Sequence, residues 1–371
     1  MRVLFLGAYN DSDIISGPLR VGKEIFFNLD SKDCLKIYIS YFQEGNKYNW
    51  IQKIFGFEKI DKNLYKSGLL PLILFTLRFK PNIIQLVNPE AFYLILLPFK
   101  KIIKFKLVFL MHSLITHSLR HYLKLKMTQK MRFIIIDYLL VLFSDIFFVY
   151  SNKQARFLKR YYHISCHKIK IIDNGVNTEG NIKTYNDITN KNAIKIITVG
   201  DIGRKEKAFP FLFNALTKLP LDVTLTICNY REQSLGTNFD FPSNVKVVLL
   251  PPLTQDRLRN EIIRNDLFTL TSRLETFSLA LLEAMSTGIL FITTNKHGIV
   301  ERFPNELNRF IVPFGKPNIL SDKILELHNY DVQTKTFLSK TIREFTLNFN
   351  WNTVANKFFE NYKKIISIYQ K

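Results

Sequence analysis

The chain has 371 residues, with 47% hydrophobic and 22% charged side chains, and 52 Lys+Arg against 31 Asp+Glu give a formal charge of +21. That balance excludes disordered, collagen-like and coiled-coil classes, and the length favours two domains. The charge calls for an anionic partner, whether nucleic acid, anionic lipid or a phosphorylated substrate.

Short apolar runs alternate with helical patterns along the whole sequence. The strand-like runs cover residues 3–8, 35–42, 83–88, 107–112, 146–151 and 170–173, then 194–199, 223–228, 245–250, 267–271, 290–294 and 310–312. Most are solidly apolar, as strands covered on both faces must be. Alternation with helices implies right-handed βαβ units and parallel sheets. A polar stretch, 177–192, interrupts the series before it restarts at Ile194. The expected fold is therefore α/β: two Rossmann-like, doubly wound domains facing a central cleft, with ligands beyond the carboxyl ends of the strands. The expected boundaries are 1–174 for the first domain and 175–350 for the second.

The charge is not spread evenly. Residues 1–175 carry a net +15 and residues 176–371 a net +6, and no acid stands between Glu90 and Asp137. That interval holds Lys100, Lys101, Lys104, Lys106, Arg120, Lys124, Lys126, Lys130 and Arg132. The stretches 99–110 and 119–131 could lie in a membrane interface. The longest apolar stretch, Phe133 to Val149, is interrupted by Asp137 and Asp145, too short and too charged to span a bilayer. Cys34, Cys166 and Cys228 form no CxxC pair, which suits free thiols in a reducing compartment. The N-terminal MRVLFLGAYNDSD reads as a buried strand rather than a secretion signal. These features lead us to expect a cytoplasmic protein, peripheral on the inner membrane face.

The segment most informative about chemistry runs from Leu267 to Gly288. A strand ends near Ser272, a helix is expected from about Thr276, and Gly288 ends it. Glu275 then stands at the helix entrance, with Glu283 eight residues on, roughly 12 Å along the axis. Two carboxylates so far apart cannot act on one bond, but they can grip two ends of a long ligand. Free N–H groups at Phe277, Ser278 and Leu279, with Thr276 beside them, would suit a phosphate between them. A sugar–diphosphate–nucleoside has that layout.

This strand–turn–helix resembles the E-x7-E signature of retaining, family-4-type glycosyltransferases with the GT-B fold, and the resemblance extends along most of the chain. Ser16-Gly17-Pro18 resembles the family's Gly-rich loop near donor phosphate, 78–88 its KP-led strand, and 107–113 its strand ending in a histidine, here His112. Val149-Tyr-Ser-Asn152 and Ile171 to Asn177 resemble later family segments, and Phe349-Asn-Trp351 resembles the start of the terminal helix, 351–371, which crosses back onto the first domain. The resemblance implies that Lys207 and Arg204, with Lys205 as competitor, meet the donor diphosphate. It also implies that Glu283 binds the ribose, and that Glu275 and His112 contact the donor sugar.

Several positions depart from the family pattern. Asp201 stands in place of its Arg and Ala208 in place of its second Gly, within a loop one residue longer. His297 replaces the first Gly of the turn that Gly298 and Glu301 match, which should narrow that wall, and Asn229-Tyr230 replaces another glycine. His117 and His121 have i,i+4 spacing and Asp11-Ser-Asp13 resembles a DxD site, but neighbouring cations and position argue against metal at either. The resemblance implies a transferase without metal or other cofactor, moving a hexose or N-acetylhexosamine from a UDP- or GDP-linked donor to a glycan or lipid-linked glycan. Nucleic acid is not expected, because no helix-turn-helix, RNP-type run or zinc spacing is present. A nucleotide-sugar epimerase and a catalytically weak sugar-nucleotide-binding subunit are the alternatives.

Overall fold

The computed structural model describes residues 1–9, 17–29, 34–42, 48–88, 90–112, 126–186, 192–228 and 243–370. Asp11 to Asp13, Ser16, His117, Arg120, His121, Lys124 and Asn229-Tyr230 lie outside the described residues, as does most of 119–131. The chain divides into two compact units, Met1–Gly175 with Trp351–Lys371, and Val176–Asn350.

In the first unit the elements run β1 (Arg2–Leu6), α1 (Gly17–Asn28), β2 (Leu35–Tyr41), α2 (Trp50–Phe55), β3 (Phe57–Asp61), β4 (Leu64–Ser67), α3 (Leu69–Phe79) and β5 (Ile83–Leu86). A 3-10 stretch, Ala91–Phe99, leads into α4 (Lys100–Ile103), followed by β6 (Lys106–Leu110), α5 (Met127–Phe143), β7 (Ile146–Val149), α6 (Asn152–Tyr162) and β8 (Ile169–Ile171). The sheet order is β3-β4-β2-β1-β5-β6-β7-β8, parallel except for β3 against β4. The β3–β4 hairpin carries no apolar run to announce it. β3 reads FEKID, largely exposed at the sheet edge, where charged side chains discourage pairing with another chain.

The central strands are buried along their length because helices cover both faces, which explains their apolar runs. Asp137, the acid that breaks the longest apolar stretch, is itself buried in α5 and accepts a 2.6 Å hydrogen bond from the Tyr162 hydroxyl. Among the described residues no helix is long and apolar enough to cross a membrane.

The second unit runs β9 (Ala193–Val199), α7 (Phe209–Leu216), β10 (Asp222–Cys228), β11 (Val245–Leu249), α8 (Gln255–Ile263), β12 (Leu267–Leu270), α9 (Leu279–Ser286), β13 (Leu290–Thr294), β14 (Ile311–Val312), α10 (Pro317–His328) and α11 (Val332–Leu347). Its strands are all parallel, in the order β11-β10-β9-β12-β13-β14. The chain winds outward from β9 in one direction and from β12 in the other. The carboxyl ends of these two neighbours therefore form the crevice where such a sheet binds ligands. The equivalent point in the first unit lies between β1 and β5.

The last helix, α12 (Trp351–Gln370), belongs to the first unit. The Trp351 ring lies so close to Gly175 that a β-carbon there would fall 2.2 Å from it, so only glycine fits. Further along, Lys357 Nζ pairs with Asp173 at 2.7 Å, and the buried Tyr362 hydroxyl donates to Gln85 Oε1 at 2.9 Å on the central strand β5. Tyr362→Phe leaves that buried carbonyl unsatisfied, and we predict a loss of about 1–3 kcal/mol. Urea unfolding followed by circular dichroism measures it, and an unchanged midpoint would contradict this account of how α12 is tied down.

Candidate active site

Two loops at the carboxyl ends of β9 and β12 build the site of the second unit. After β9 the chain reads Gly200-Asp-Ile-Gly-Arg-Lys-Glu-Lys207. Gly200 allows the Lys207 stem to lie across it, since a β-carbon there would meet the stem carbons at 3.2 Å. Lys207 Nζ then reaches Glu275 Oε1, at 2.6 Å, from the loop after β12. Both side chains are largely but not wholly enclosed, at 18% and 19% exposure. Burial alone would raise the Glu275 pKa. Lys207, followed by His297, outweighs it and holds the carboxyl below its ordinary value.

Asp201, where the family pattern has an arginine, has a structural task. Its carboxylate accepts from the Gly203 N–H at 3.0 Å and its carbonyl from the Arg204 N–H at 3.1 Å, closing the turn that holds the extra residue. Ala208 takes the left-handed conformation, at φ 52°, that the glycine of the pattern would take. The strain costs an alanine about 1–2 kcal/mol. Burial of its methyl group offsets part of that cost, about 0.8 kcal/mol.

Arg204 is not free to act as the sequence suggested. Its Nε donates to Glu206 Oε1 at 2.6 Å and a second guanidinium nitrogen contacts the same oxygen. Glu206 is buried, and its carbonyl accepts from the Arg273 N–H at 2.7 Å, joining this loop to the end of β12. Lys205 is exposed. Lys207 is thus the cation paired directly with Glu275, and nothing in the sequence pattern singled out Glu206 as the partner of Arg204.

The structure corrects the helix start. Helix α9 begins at Leu279, not near Thr276, so Glu275 stands four residues before it. The cause is a strand-like bridge between Glu275 and His297: Gly298 N–H donates to the Glu275 carbonyl at 3.0 Å and Ile299 N–H to the Phe277 carbonyl at 3.1 Å. Residues 275–277 are held out of the helix by these bonds until Ser278, at φ 95°, turns the chain into it. The first-turn N–H groups therefore belong to Leu279, Ala280 and Leu281 rather than to Phe277 and Ser278. The Phe277 ring is core, packed 6.0 Å from Phe349, while Thr276 is half-buried. The Ser278 hydroxyl is buried at this helix entrance without a hydrogen-bond partner. Glu283 lies on the less buried side of α9, one turn in, so the estimate of 12 Å along one helix does not apply.

His297 does not narrow an open wall. Its ring is 2% exposed, with Nδ1 2.9 Å from the Thr293 hydroxyl and Nε2 3.3 Å from the Ser272 carbonyl. In the first unit, His112 follows β6, with Nδ1 3.1 Å from the Tyr150 hydroxyl. Burial lowers its pKa to about 4, against an opposing pull from the Val87 carbonyl, so the ring is neutral at pH 7. Gly17 opens α1, at the same edge of the first sheet. The sequence-predicted residues therefore fall into two groups, one in each unit.

The depressed pKa of Glu275 makes a pH prediction. A lowered folded pKa contributes stability above the unfolded value of about 4.3 and loses it as pH falls through the folded value. Wild type should exceed Glu275→Gln in thermal stability by a constant margin above about pH 5. The margin should shrink toward pH 3, and a margin independent of pH would count against the Lys207 pairing.

The family model described as Glycosyl transferases group 1 matches residues 193–329, and that described as Glycosyltransferase Family 4 matches residues 48–179. Sulfoquinovosyl transferase SQD2 of Arabidopsis thaliana is 27% identical over 181 residues, 47% of this chain and 34% of its own length. The chain spans between 26% and 56% of the length of the curated relatives it matches. Among solved structures, the sucrose-phosphate synthase of Thermosynechococcus elongatus aligns over 99% of both chains with a TM-score of 0.73 at 13% identity. The Anabaena protein HepE, solved in complex with UDP-glucose, aligns over 98% of this chain and 100% of its own with a TM-score of 0.67 at 16% identity. With one family model on each unit and the same two-sheet architecture throughout, the chain belongs to the group 1, family 4 glycosyltransferases and has their GT-B fold.

Proposed function

We propose that this protein transfers a hexose or N-acetylhexosamine, with retention at the anomeric carbon, from a UDP- or GDP-linked donor to a hydroxyl of a glycan or lipid-linked glycan. The observation that carries the reading is the Lys207–Glu275 pair, set where β9 and β12 diverge and beside the amino end of α9. It brings a cation for the diphosphate, a carboxylate for sugar hydroxyls and helix N–H groups for a phosphate oxygen to one end of one sheet. The UDP-glucose held by the structurally similar HepE supports a uridine donor.

In this mechanism the bond from the anomeric carbon to the β-phosphate oxygen breaks, and one to the acceptor oxygen forms on the same face. The acceptor proton passes to the departing phosphate, which leaves as nucleoside diphosphate. Negative charge gathers on that leaving group, and fixed dipoles and cations aimed at it lower the barrier. Lys207 supplies the nearest charge, and Arg204 or Lys205 adds a second once Arg204 parts from Glu206. No metal or other cofactor enters the reading. Glu275 accepts from the donor sugar and Glu283 from the ribose, while the first unit receives the acceptor, with neutral His112 as a hydrogen-bonding group rather than a base. The polarised charge fits an acceptor presented at the inner face of a cytoplasmic membrane, in cell-surface polysaccharide or glycolipid synthesis.

A panel of nucleotide sugars tested by thermal shift identifies the donor, because bound ligand raises apparent stability with its affinity. No stabilisation by any of them would sink the proposal. Release of nucleoside diphosphate only when acceptor is present separates transfer from epimerisation. Lys207→Ala and Glu275→Gln should each lower kcat/KM by a hundredfold or more, about 2.7 kcal/mol in the barrier. Full activity in both variants would remove the Lys207–Glu275 pair from the catalytic machinery, and a wild type that binds donor but transfers nothing would return the protein to a role as a sugar-nucleotide-binding subunit. The His112 ring should contribute no inflection to kcat/KM between pH 5 and 8.

A further inference from the structure

Helix α5 is apolar on two opposite faces. Ile136, Leu140 and Val141, with Asp137, are buried against the first sheet. On the other side Met127, Met131, Ile135, Tyr138 and Leu142 are between 49% and 73% exposed. Their spacing of 4, 4, 3 and 4 residues aligns them in one stripe along the helix. A soluble helix normally carries charges on that side. A stripe of five large side chains in register, unlike scattered surface residues, marks an interaction surface.

The surroundings of the stripe indicate what covers it. Lys126 precedes α5, and Lys130 and Arg132 lie in its first turns. At the far end Lys100 of α4 donates to the Phe143 carbonyl at 2.8 Å and pairs with Asp145. The same short helix carries Lys101 and the 71% exposed Ile102, and Lys104 caps it. Helices α2 to α4 contain no acid, and the one acid of α5 is the buried Asp137. A second copy of this surface would bring like charges together, and a nucleic acid would leave the apolar stripe in water. An anionic lipid surface satisfies both: acyl chains receive the stripe and headgroup phosphates meet the flanking cations.

We propose that α5 is the membrane-docking element of this protein, lying along an anionic bilayer with its Met127–Leu142 stripe inserted below the headgroups. This deepens the membrane-facing part of the function proposed above and relocates it. The stretch 99–110 is not the insertion, since it ends in the buried strand β6, whereas the stripe starts inside 119–131, at Met127 and Met131, and continues beyond it to Leu142.

The test is co-sedimentation of the full chain with phosphatidylcholine vesicles, with and without phosphatidylglycerol, at low and high salt. Three proteins are compared: wild type, Met131→Ser/Ile135→Ser/Leu142→Ser, and Lys126→Gln/Lys130→Gln/Arg132→Gln. Phe337→Ser, which removes an exposed ring from α11 in the other unit, is the control. Circular dichroism melts and thermal shift with UDP-glucose report that fold and donor site are intact. Wild type should bind vesicles containing phosphatidylglycerol, and the serine variant at least tenfold more weakly at both salt concentrations. The glutamine variant should lose most of its binding at low salt, and the control should match wild type. Serine and glutamine variants that bind like wild type overturn the assignment of α5. Equal wild-type binding to pure phosphatidylcholine overturns the role of the cations. A wild type that dimerises through the stripe and ignores vesicles overturns the proposal in favour of a second copy. A wild type that binds no vesicles yet still binds donor and transfers its sugar refutes this inference while leaving the transferase reading in place.

Discussion

The Lys207–Glu275 ion pair depends on a backbone constraint, the reversal of winding direction between β9 and β12. Strands buried on both faces leave their polar loops only at the ends. Where the chain winds away in opposite directions, two carboxyl-end loops stand side by side with no crossover helix above them. The β9 loop brings a lysine and the β12 loop a glutamate. An isolated charge there would bear the desolvation cost alone, whereas the pair offsets it and holds the Glu275 carboxyl below its ordinary value. Gly200 admits the lysine stem, and the bridge from 275 to 297 anchors the backbone that carries the carboxylate.

The departures from the family pattern are understandable in the same terms. Asp201 cannot meet a phosphate, but its carboxylate closes the turn of a loop that has grown by one residue. Ala208 holds the left-handed conformation at a strain partly offset by its buried methyl group. His297 fills interior space between Thr293 and Ser272 and does not obstruct an open surface. These three substitutions are absorbed by their surroundings without displacing Lys207 or Glu275.

The first unit distributes its charge differently. Lys100, Lys101, Lys104, Lys126, Lys130 and Arg132 lie at or beyond the two ends of the exposed apolar face of α5. Asp137 marks the distinction: on a helix placed in lipid it would be costly, yet here it points to the core and bonds to Tyr162. The helix is thus apolar on one side toward the core and apolar on the exposed side as well.

The α/β class, the parallel strands and the two-part organisation are legible in the residue pattern, because burial on both faces forces continuous apolar runs. Strand positions were legible to within one or two residues for the same reason. Glu275 and Lys207 were legible too, as residues just beyond strand ends in a recognisable pattern. The edge hairpin β3–β4 was not, since an exposed strand needs no apolar run. Packing in three dimensions set the start of α9 at Leu279, because long-range backbone bonds to residues 298–299 override the local helical preference of 276–278. It also decided that Arg204 is held by Glu206, that His297 is buried, and that one face of α5 remains exposed. Those outcomes depend on which segments meet in space, and residue spacing along the chain does not specify that.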